Sequence, residues 1–517
     1  MLLRAGALSL LLLIASRLLG LARESAQAAA LGITGVADVV VLMLSLPDWV
    51  TGVLASGALA YVLLPHWAQA SAAGRAQTQR RVARYLLGLG LALAVVQIVW
   101  AGELAALLVA GLADSLNAQA ALGMRYSALA LPAALLAALW ATRLQHERDF
   151  VGMVAANLVF NAALVLALLV LAWQMAGHVA IAAIAAQQTW AVQIMGFALL
   201  AGAALRLLWL YARLRRKSMT MTQTEVVVAQ SEPALPALPL WFWAVLSAGL
   251  PLALPFVARS LASPAGEGAL AAFNYAYKLI ELPLVLLIQL VATLAFPLIA
   301  QAFAQGRDVV PAVRRAMALS WALACACTAG LLVGAPALAK LLFGWGRMQA
   351  QGLADIAQWA ALGSWSLLPQ ALTAVALTVL ASRQRLRPVA LVYALALGTL
   401  LACRSWAGAD GARLMGVLVV VQALVAVVLL ALLGRAMLRA LPWAAMAAPA
   451  LALAFTAALA WTLEPILPGM LTSVWAGLFW AVLAGLAVLG VALWAAPELR
   501  SGLSNALGER LPWVRRR

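Results

Sequence analysis

Three charged residues interrupt the first long apolar run of this sequence. Arg17, Arg23 and Glu24 lie within the run 5–31, which carries no other charge. A guanidinium group inside an apolar helix bundle suits an anionic ligand, because its planar fork donates two parallel hydrogen bonds to a phosphate. Arg17 and Arg23 are six residues apart and therefore face different sides of a helix. The adjacent Arg23 and Glu24 are expected to diverge as well.

Four further charged residues lie in or beside apolar runs. Lys278 and Glu281 are three residues apart, so they can pair on one helix face. Asp38 begins the second run. Arg259 lies near the end of its run, where two interpretations are equally supported: it lines an internal cavity, or it extends to the membrane surface. Arg17 and Arg23 lie too deep for such extension, so they favour a water-filled, positively charged cavity.

The composition places these runs in a membrane. The chain has 517 residues, of which 66% are hydrophobic and 10% are charged. A soluble globular protein is roughly 45–50% apolar and roughly 25% charged. The net charge of +17 comes from short basic clusters between apolar runs. Such clusters indicate loops that set membrane topology, and not a nucleic-acid surface.

A membrane helix needs about 20 apolar residues, and the sequence contains fourteen such runs. The predicted spans are 5–31, 38–64, 85–111, 121–142, 151–173, 179–209, 241–263, 268–303, 312–342, 350–381, 388–403, 413–433, 442–463 and 470–496. The even-numbered loops are rich in arginine and lysine, and the odd-numbered loops are poor in them. By the positive-inside rule this predicts that both termini are cytoplasmic.

The fold class predicted from these runs is an all-α polytopic membrane protein with about fourteen transmembrane helices. Two six-helix bundles around a central cavity, plus two C-terminal helices, match the common plan of secondary transporters. The predicted domains are an N-terminal bundle (1–211), a cytoplasmic linker (212–240), a second bundle (241–440), two additional helices (441–497) and a basic tail (498–517).

Helix-breaking residues interrupt several predicted spans. Such positions supply bending points for alternating access. They are also frequent in ordinary membrane helices, and both interpretations stay open. The predicted hinge residues are Pro47, Gly57, Pro251, Pro255 and Pro283.

Four stretches resemble one known family. Residues 16–24 (SRLLGLARE) resemble the first-helix motif SRxLGxxRD of the MurJ/MviN lipid II flippases. Residues 37–58, with Asp38, Leu-Pro-Asp and Gly-Ala, are similar to that family's second helix, D…LPN…EGA. Residues 274–283 (NYAYKLIELP) look like its eighth helix, YADRLxEfP. Residues 341–346 (LLFGWG) resemble its LFGRG motif.

The resemblance implies a fold and a function. The family belongs to the MOP flippase superfamily and moves an undecaprenyl-linked peptidoglycan precursor across the inner membrane by alternating access, through a cavity lined by arginines. This chain departs from the family's pattern in its second helix, where Thr51 and Gly52 replace a pair of arginines and Ser56 replaces a glutamate. In the eighth helix Lys278 stands where the family has arginine, which loses the bidentate geometry.

The resemblance and the charge pattern together define the candidate site. The predicted cavity residues are Arg17, Arg23, Glu24, Asp38, Lys278 and Glu281, with Arg259, Thr51 and Ser56 as further candidates. The predicted partners are a lipid-linked glycan, membrane lipids and other cell-envelope synthesis proteins, with no nucleic acid. No metal or cofactor is expected, since the three cysteines lack metal-site spacing. The predicted location is the bacterial cytoplasmic (inner) membrane.

Several functions compete at this point. Lipid II is placed slightly ahead of other polyprenyl-pyrophosphate-linked oligosaccharides, because the first-helix motif is intact. An ion-coupled exporter of small cations would require acidic cavity residues, whereas this cavity is predicted to be cationic. A membrane glycosyltransferase or ligase would require a sizeable outer loop with acids or histidines, and the odd-numbered loops are short. An enzyme is therefore not expected. A non-transporting scaffold stays open.

Overall fold

The computed structural model describes residues 2–175, 184–221, 235–408, 410–463, 473–496 and 499–500. Across these ranges the chain forms helices joined by short turns, and the described residues contain no β-strand. The predicted all-α class is confirmed. Parts of the predicted linker 212–240 and nearly all of the predicted tail 498–517 lie outside the described residues.

The first half of the chain forms helices α1 to α10. They are α1 (Leu2–Leu31), α2 (Gly35–Val53), α3 (Leu59–Gln69), α4 (Ala72–Val99), α5 (Ala101–Leu108), α6 (Asn117–His146), α7 (Phe150–Met175), α8 (Ile184–Met221), α9 (Leu238–Ala262) and α10 (Ala269–Pro283). The remaining helices are α11 (Gln289–Ala304), α12 (Val310–Phe343), α13 (Ala350–Ser364), α14 (Leu367–Ser382), α15 (Leu386–Ala402), α16 (Arg404–Ala407), α17 (Gly411–Ala431), α18 (Arg435–Ala440), α19 (Trp443–Leu463) and α20 (Val474–Ala495).

The helices belong to two compact units. The first unit consists of Met1–Asn274, Phe343–Gly352 and Gly408–Asp410. The second unit consists of Tyr275–Leu342, Leu353–Ala407 and Gly411–Arg517. The boundary between the units falls within α10, so α9 belongs to the first unit. The domain limits inferred from the sequence stay a prediction.

Most of the described helices meet the requirements of a membrane span. Eleven are long and apolar enough, or twelve if α13 and α14, which are bent by 47° at their break, form one span. Two predicted spans, which correspond to α1 and α15, are not among these. Helix α1 contains four charged residues, Arg4, Arg17, Arg23 and Glu24, and α15 has only 17 residues. The predicted number of about fourteen is therefore not confirmed.

The boundaries of α4 differ from the predicted span 85–111. The helix begins at Ala72, where the Ser71 hydroxyl accepts a hydrogen bond from the Gly74 amide at 3.1 Å. Serine is a favoured N-cap residue. The arginines between residues 75 and 84 therefore lie on the helix, and not in a loop as predicted. Arginine has a high helix propensity, so basic residues do not by themselves end a helix.

Two long helical rods contain a short π-helical segment. Residues Leu54–Ala58 form the segment between α2 and α3, and residues Leu284–Ile288 form the one between α10 and α11. In each rod a proline precedes the segment: Pro47 lies within α2, and Pro283 ends α10. The missing N–H of Pro283 loosens the hydrogen-bond ladder directly before its segment, whereas Pro47 lies seven residues before Leu54.

The core of the first unit forms around α2. This helix packs against α6 and α9, while α1 packs on α7 and α7 on α8. One buried apolar cluster joins α3, α4 and α6. Its members are Leu59, Leu63, Trp67, Val82, Leu86, Leu135, Ala138 and Leu139.

The second unit has its own apolar core. Its helix pairs include α14 with α17, α11 with α14, and α19 with α20. Cys325 lies in a buried cluster with Ala329, Leu453 and Val488. Cys325 is buried, as predicted for a small core residue, whereas Cys327 and Cys403 are half-buried.

A short segment of the first unit contacts the end of α1. The Arg347 amide donates a hydrogen bond to the Ala29 carbonyl at 3.0 Å. Gly346 has a φ of +63°, and a Cβ at that position would lie 2.2 Å from the Ala29 carbonyl oxygen. Glycine is required here for its backbone conformation and for the close approach, which gives the LLFGWG motif a structural role.

Candidate functional site

Arg23 of α1 lies at the centre of a polar network in the first unit. Its side chain is buried, and its Nη2 donates to Glu24 Oε1 at 2.8 Å. Its Nη1 donates to Asp48 Oδ2 of α2 at 3.2 Å and to Asn161 Oδ1 of α7 at 3.2 Å. The guanidinium fork therefore joins three helices. A lysine ammonium at this position would lack the planar geometry that serves these acceptors together.

The network continues from Glu24 towards α9. The second carboxylate oxygen of Glu24 accepts a hydrogen bond from Asn274 Nδ2 at 2.8 Å. The Asn274 Oδ1 accepts in turn from Arg259 Nη1 at 2.5 Å, and the guanidinium carbon of Arg259 lies 5.5 Å from the centre of the Phe256 ring. Arg259 is half-buried and belongs to the network, and its place in a substrate cavity stays a prediction.

The charges within this network balance. Arg23 and Arg259 carry two positive charges, and Glu24 and Asp48 carry two negative charges. A balanced, hydrogen-bonded network lowers the cost of keeping ionised groups at membrane depth. Among the described residues, no group of three histidine, cysteine, aspartate or glutamate side chains is placed to hold a metal ion.

The prediction that Arg23 and Glu24 diverge was wrong. Their side chains form a salt bridge at 2.8 Å, although the residues are adjacent. The arginine stem is long enough to bring the guanidinium group round the helix to its neighbour. The different faces predicted for Arg17 and Arg23 are confirmed, since Arg17 is exposed and Arg23 is buried.

Lys278 and Glu281 form the ion pair that their spacing predicts. The distance from Lys278 Nζ to Glu281 Oε2 is 2.7 Å, and the two side chains are 28% and 31% exposed. Both residues lie on the part of α10 that belongs to the second unit. Their contribution to substrate binding stays a prediction.

Asp38 has a different environment from the network residues. It is fully buried at the start of α2, and its two carboxylate oxygens accept hydrogen bonds from the amides of Gly268 at 2.8 Å and Ala271 at 2.7 Å. Gly268 directly precedes α10 and Ala271 lies in its first turn, and the unpaired N–H groups at a helix N-terminus favour a carboxylate. Ten residues separate Asp38 from Asp48, or about 15 Å along a helix axis. The geometry places Asp38 as a helix cap.

The remaining candidate residues lie in α2, in the π-helical segment that follows it, and in α9. Thr51 lines a small pocket of the first unit together with Asp48. The side chain of Ser56 lies outside the described residues. Gly57 lies inside the π-helical segment, while Pro251 and Pro255 lie within α9. Their role as hinges stays a prediction.

Sequence reasoning missed four polar residues that the structure brings to this region. Asp48 and Asn274 were inside quoted motifs but were not selected. Asn161 stands in an otherwise apolar helix, where a lone amide was the available signal. Arg206 of α8 lines the same pocket as Asp48 and Thr51. It lies seven residues before Arg213, the first of the basic residues that close α8, so the sequence did not distinguish it from charges that set the membrane topology.

Comparison with known families decides the identity of the chain. The family model for lipid II flippase MurJ matches residues 27–496. The chain belongs to the MurJ lipid II flippase family. The matched region contains every helix from α2 to α20, and it contains all predicted site residues except Arg17, Arg23 and Glu24. The resemblance proposed from the motifs is confirmed.

Solved structures agree with this assignment at the level of fold. A structure of lipid II flippase MurJ in an inward closed conformation has a TM-score of 0.74 and 12% identity, covering 94% of this chain and 98% of that chain. An inward-facing multidrug resistance MATE family transporter of the MOP superfamily has a TM-score of 0.61 and 14% identity, covering 82% and 95%. MATE in complex with MaL6 has a TM-score of 0.58 and 14% identity, covering 84% and 96%.

At these identities the structural matches show a shared fold and no more. No curated protein matches the sequence significantly. The family and the apolar helices together identify a multi-pass membrane protein of a transporter family.

Proposed function

We propose that this chain moves a polyprenyl-pyrophosphate-linked glycan, with lipid II as the leading candidate, from the inner to the outer leaflet of the cytoplasmic membrane by alternating access. The polar network around Arg23 is the observation that carries the proposal. It holds four ionised groups within apolar helices, and such groups cost at least ~2.5–3.5 kcal/mol each at a helix centre unless they are paired or line a cavity.

Membership in a lipid II flippase family supports the same class of substrate. A pyrophosphate head group carries negative charge and several acceptor oxygens, which guanidinium groups recognise well. Transport needs no reaction at the glycan, and we infer that the chain acts without catalysing one.

A different lipid-linked oligosaccharide is the second candidate. One feature of the pocket supports it: Thr51 lines the pocket at a position where the resembling motif carries an arginine. A neutral side chain there reduces the positive charge available to the head group. The specificity for lipid II therefore depends on the remaining cations.

Complementation in a model bacterium tests the proposal. The resident lipid II flippase is depleted while this chain is expressed, and growth and lysis are recorded. We expect the wild-type chain to restore growth and Arg23→Ala to abolish the rescue, because this change leaves Glu24 and Asp48 without their shared partner. Removal of one member of a buried ion pair costs about 3–5 kcal/mol of stability. Arg23→Lys keeps the positive charge and is therefore tested in parallel, with all variants compared at equal amounts of protein in the membrane.

The matched control is Arg84→Ala, which removes an exposed arginine of α4. It should support growth like the wild type. Failure of the wild-type chain at confirmed membrane levels would exclude lipid II transport and favour another lipid-linked saccharide. Full rescue by Arg23→Ala would contradict the role of the network.

A further inference from the structure

Arg206 is a buried cation of the first unit that forms no salt bridge. It lies in α8 with 8% of its surface exposed, and its Nε is buried without a hydrogen-bond partner. Among the described residues, no acid forms a salt bridge with its guanidinium group, and Asp48 is the acid that interacts with it electrostatically. Its one ring contact is with Phe160, at 5.9 Å from the guanidinium carbon to the ring centre. This distance is near the roughly 6 Å limit of a cation–π interaction.

The position of Arg206 along α8 does not explain its burial. Arg213, seven residues further on, is paired with Asp149 at 2.7 Å. Arg206 lies about 10 Å of helix before Arg213 and about 22 Å before Met221, the last residue of α8. An arginine that only extended to the membrane surface would expose its guanidinium group, whereas Arg206 is directed into the unit.

The guanidinium group of Arg206 borders the pocket that Asp48 and Thr51 also line. The other walls include the small side chains of Ala130, Ala134, Ala137 and Ala203. The pocket is small in this conformation. Alanine walls leave the charged side chains as the groups that decide what the pocket accepts.

Asp48 is the acid that links Arg206 to the polar network. Its side chain is 42% exposed, and it is held by one contact of 3.2 Å to Arg23. Two guanidinium groups therefore border one partly exposed carboxylate. A phosphate group carries the same sign of charge and offers more acceptor oxygens than a carboxylate, so it can replace Asp48 between the two arginines.

We propose that Arg23 and Arg206 form a phosphate-binding site in the first unit, and that Asp48 is an internal anion displaced when a phosphate group of the transported lipid binds. The proposal rests on the proposed function and names Arg206 as a substrate-binding residue. With Arg206 included, the region holds three arginines and two acids, and a ligand phosphate neutralises the excess positive charge.

Lipid binding by the purified full-length chain in lipid nanodiscs tests the proposal. The probes are undecaprenyl pyrophosphate and undecaprenol, which lacks the phosphate groups. Arg206→Gln is expected to weaken binding of undecaprenyl pyrophosphate by about tenfold or more, as for loss of a charge-assisted hydrogen bond. Binding of undecaprenol should not change. The matched control Arg84→Gln, at an exposed position of α4, should bind both probes like the wild type.

The melting temperature separates a binding role from a structural one. Because Arg206 forms no salt bridge and Asp48 keeps its contact with Arg23, Arg206→Gln should melt near the wild-type temperature while it loses affinity. Wild-type affinity for undecaprenyl pyrophosphate in Arg206→Gln would overturn this inference and leave the proposed function intact. A wild-type chain that does not bind undecaprenyl pyrophosphate would overturn both.

A second variant keeps the test independent of the folding of Arg206→Gln. Asp48→Asn retains an acceptor for Arg23 and removes the competing charge, so it should bind undecaprenyl pyrophosphate several times more tightly. Unchanged or weaker binding in this variant would show that Asp48 is not displaced, and would overturn the proposal.

Discussion

At the scale of residues, the same type of side chain serves different purposes in this chain. The Glu24 carboxylate pairs with Arg23 and Asn274, whereas the Asp38 carboxylate accepts two backbone amides. Both acids are buried. The difference lies in the donors that packing places beside them, which are side chains in one case and a helix N-terminus in the other.

Asp38→Ala should destabilise the protein without weakening substrate binding by the folded molecules. The change leaves two amides of α10 unpaired, and loss of an N-cap costs about 0.5–2 kcal/mol. Melting temperature and undecaprenyl pyrophosphate affinity, both measured in nanodiscs, check this outcome. Asp114→Ala, at an exposed position, serves as the control and should change neither quantity. Lost affinity at an unchanged melting temperature would instead place Asp38 in the binding cavity.

At the scale of elements, the rod formed by α2, its π-helical segment and α3 positions much of the site. Asp48 and Thr51 precede the segment, and Gly57 lies within it. A Cβ at Gly57 would lie 2.3 Å from the Cβ of Ala248 in α9. Carbon atoms at van der Waals contact are about 3.5–4.0 Å apart, so α9 approaches the rod closely because residue 57 lacks a side chain.

Gly57→Ala should therefore lower the stability of the first unit by about 1–3 kcal/mol, as for overpacking. The double variant Gly57→Ala/Ala248→Gly should recover most of the loss, because it restores the space between the rod and α9. Melting temperatures of the three proteins test this coupling.

Gly88 of α4 provides the matched control for this glycine. No atom lies within 4 Å of a Cβ built there, and alanine is a better helix former by about 1 kcal/mol. Gly88→Ala should thus leave the melting temperature unchanged or raise it. If the double variant Gly57→Ala/Ala248→Gly did not recover stability, overpacking against Ala248 would not explain the effect of Gly57→Ala, and a hinge role for Gly57 would be the better explanation.

At the scale of the whole molecule, the exposed surface is strongly apolar. Within the span Val474–Ala495, an 18-residue window has a mean hydropathy of 2.3, and only 22% of that window is buried. Large side chains such as Trp475 and Trp494 are more than three-quarters exposed. A helix that is apolar on all sides and largely unburied belongs in lipid. The membrane therefore completes the packing of these helices.

The orientation in the membrane is predicted from the loop charges and is testable by labelling. In a background without the native cysteines, Ala73→Cys should be shielded from an impermeant thiol reagent in intact cells. Ser115→Cys should be labelled. Both positions are exposed, and by the positive-inside rule they lie on opposite sides. The reverse pattern would invert the topology, and a cytoplasmic marker protein controls for leakage of the reagent.

The sequence by itself determined the membrane class, the helical fold and the family. Apolar runs are local properties, and the first-helix motif that contains Arg17 and Arg23 is contiguous. Spacing along one helix was also sufficient for the pair Lys278–Glu281, because an interval of three residues fixes a shared face.

The tertiary structure decided which charged residues meet. Arg23 and Asn161 are 138 residues apart, and Glu24 and Asn274 are 250 residues apart. The cap that Asp38 forms on α10, and the placement of Arg206 beside Asp48, depend likewise on helices distant in sequence. The hydropathy of a segment predicts that its helix is buried in lipid or protein, but only helix packing determines which side chains face each other. For that reason the sequence could not predict the partners that lie on different helices.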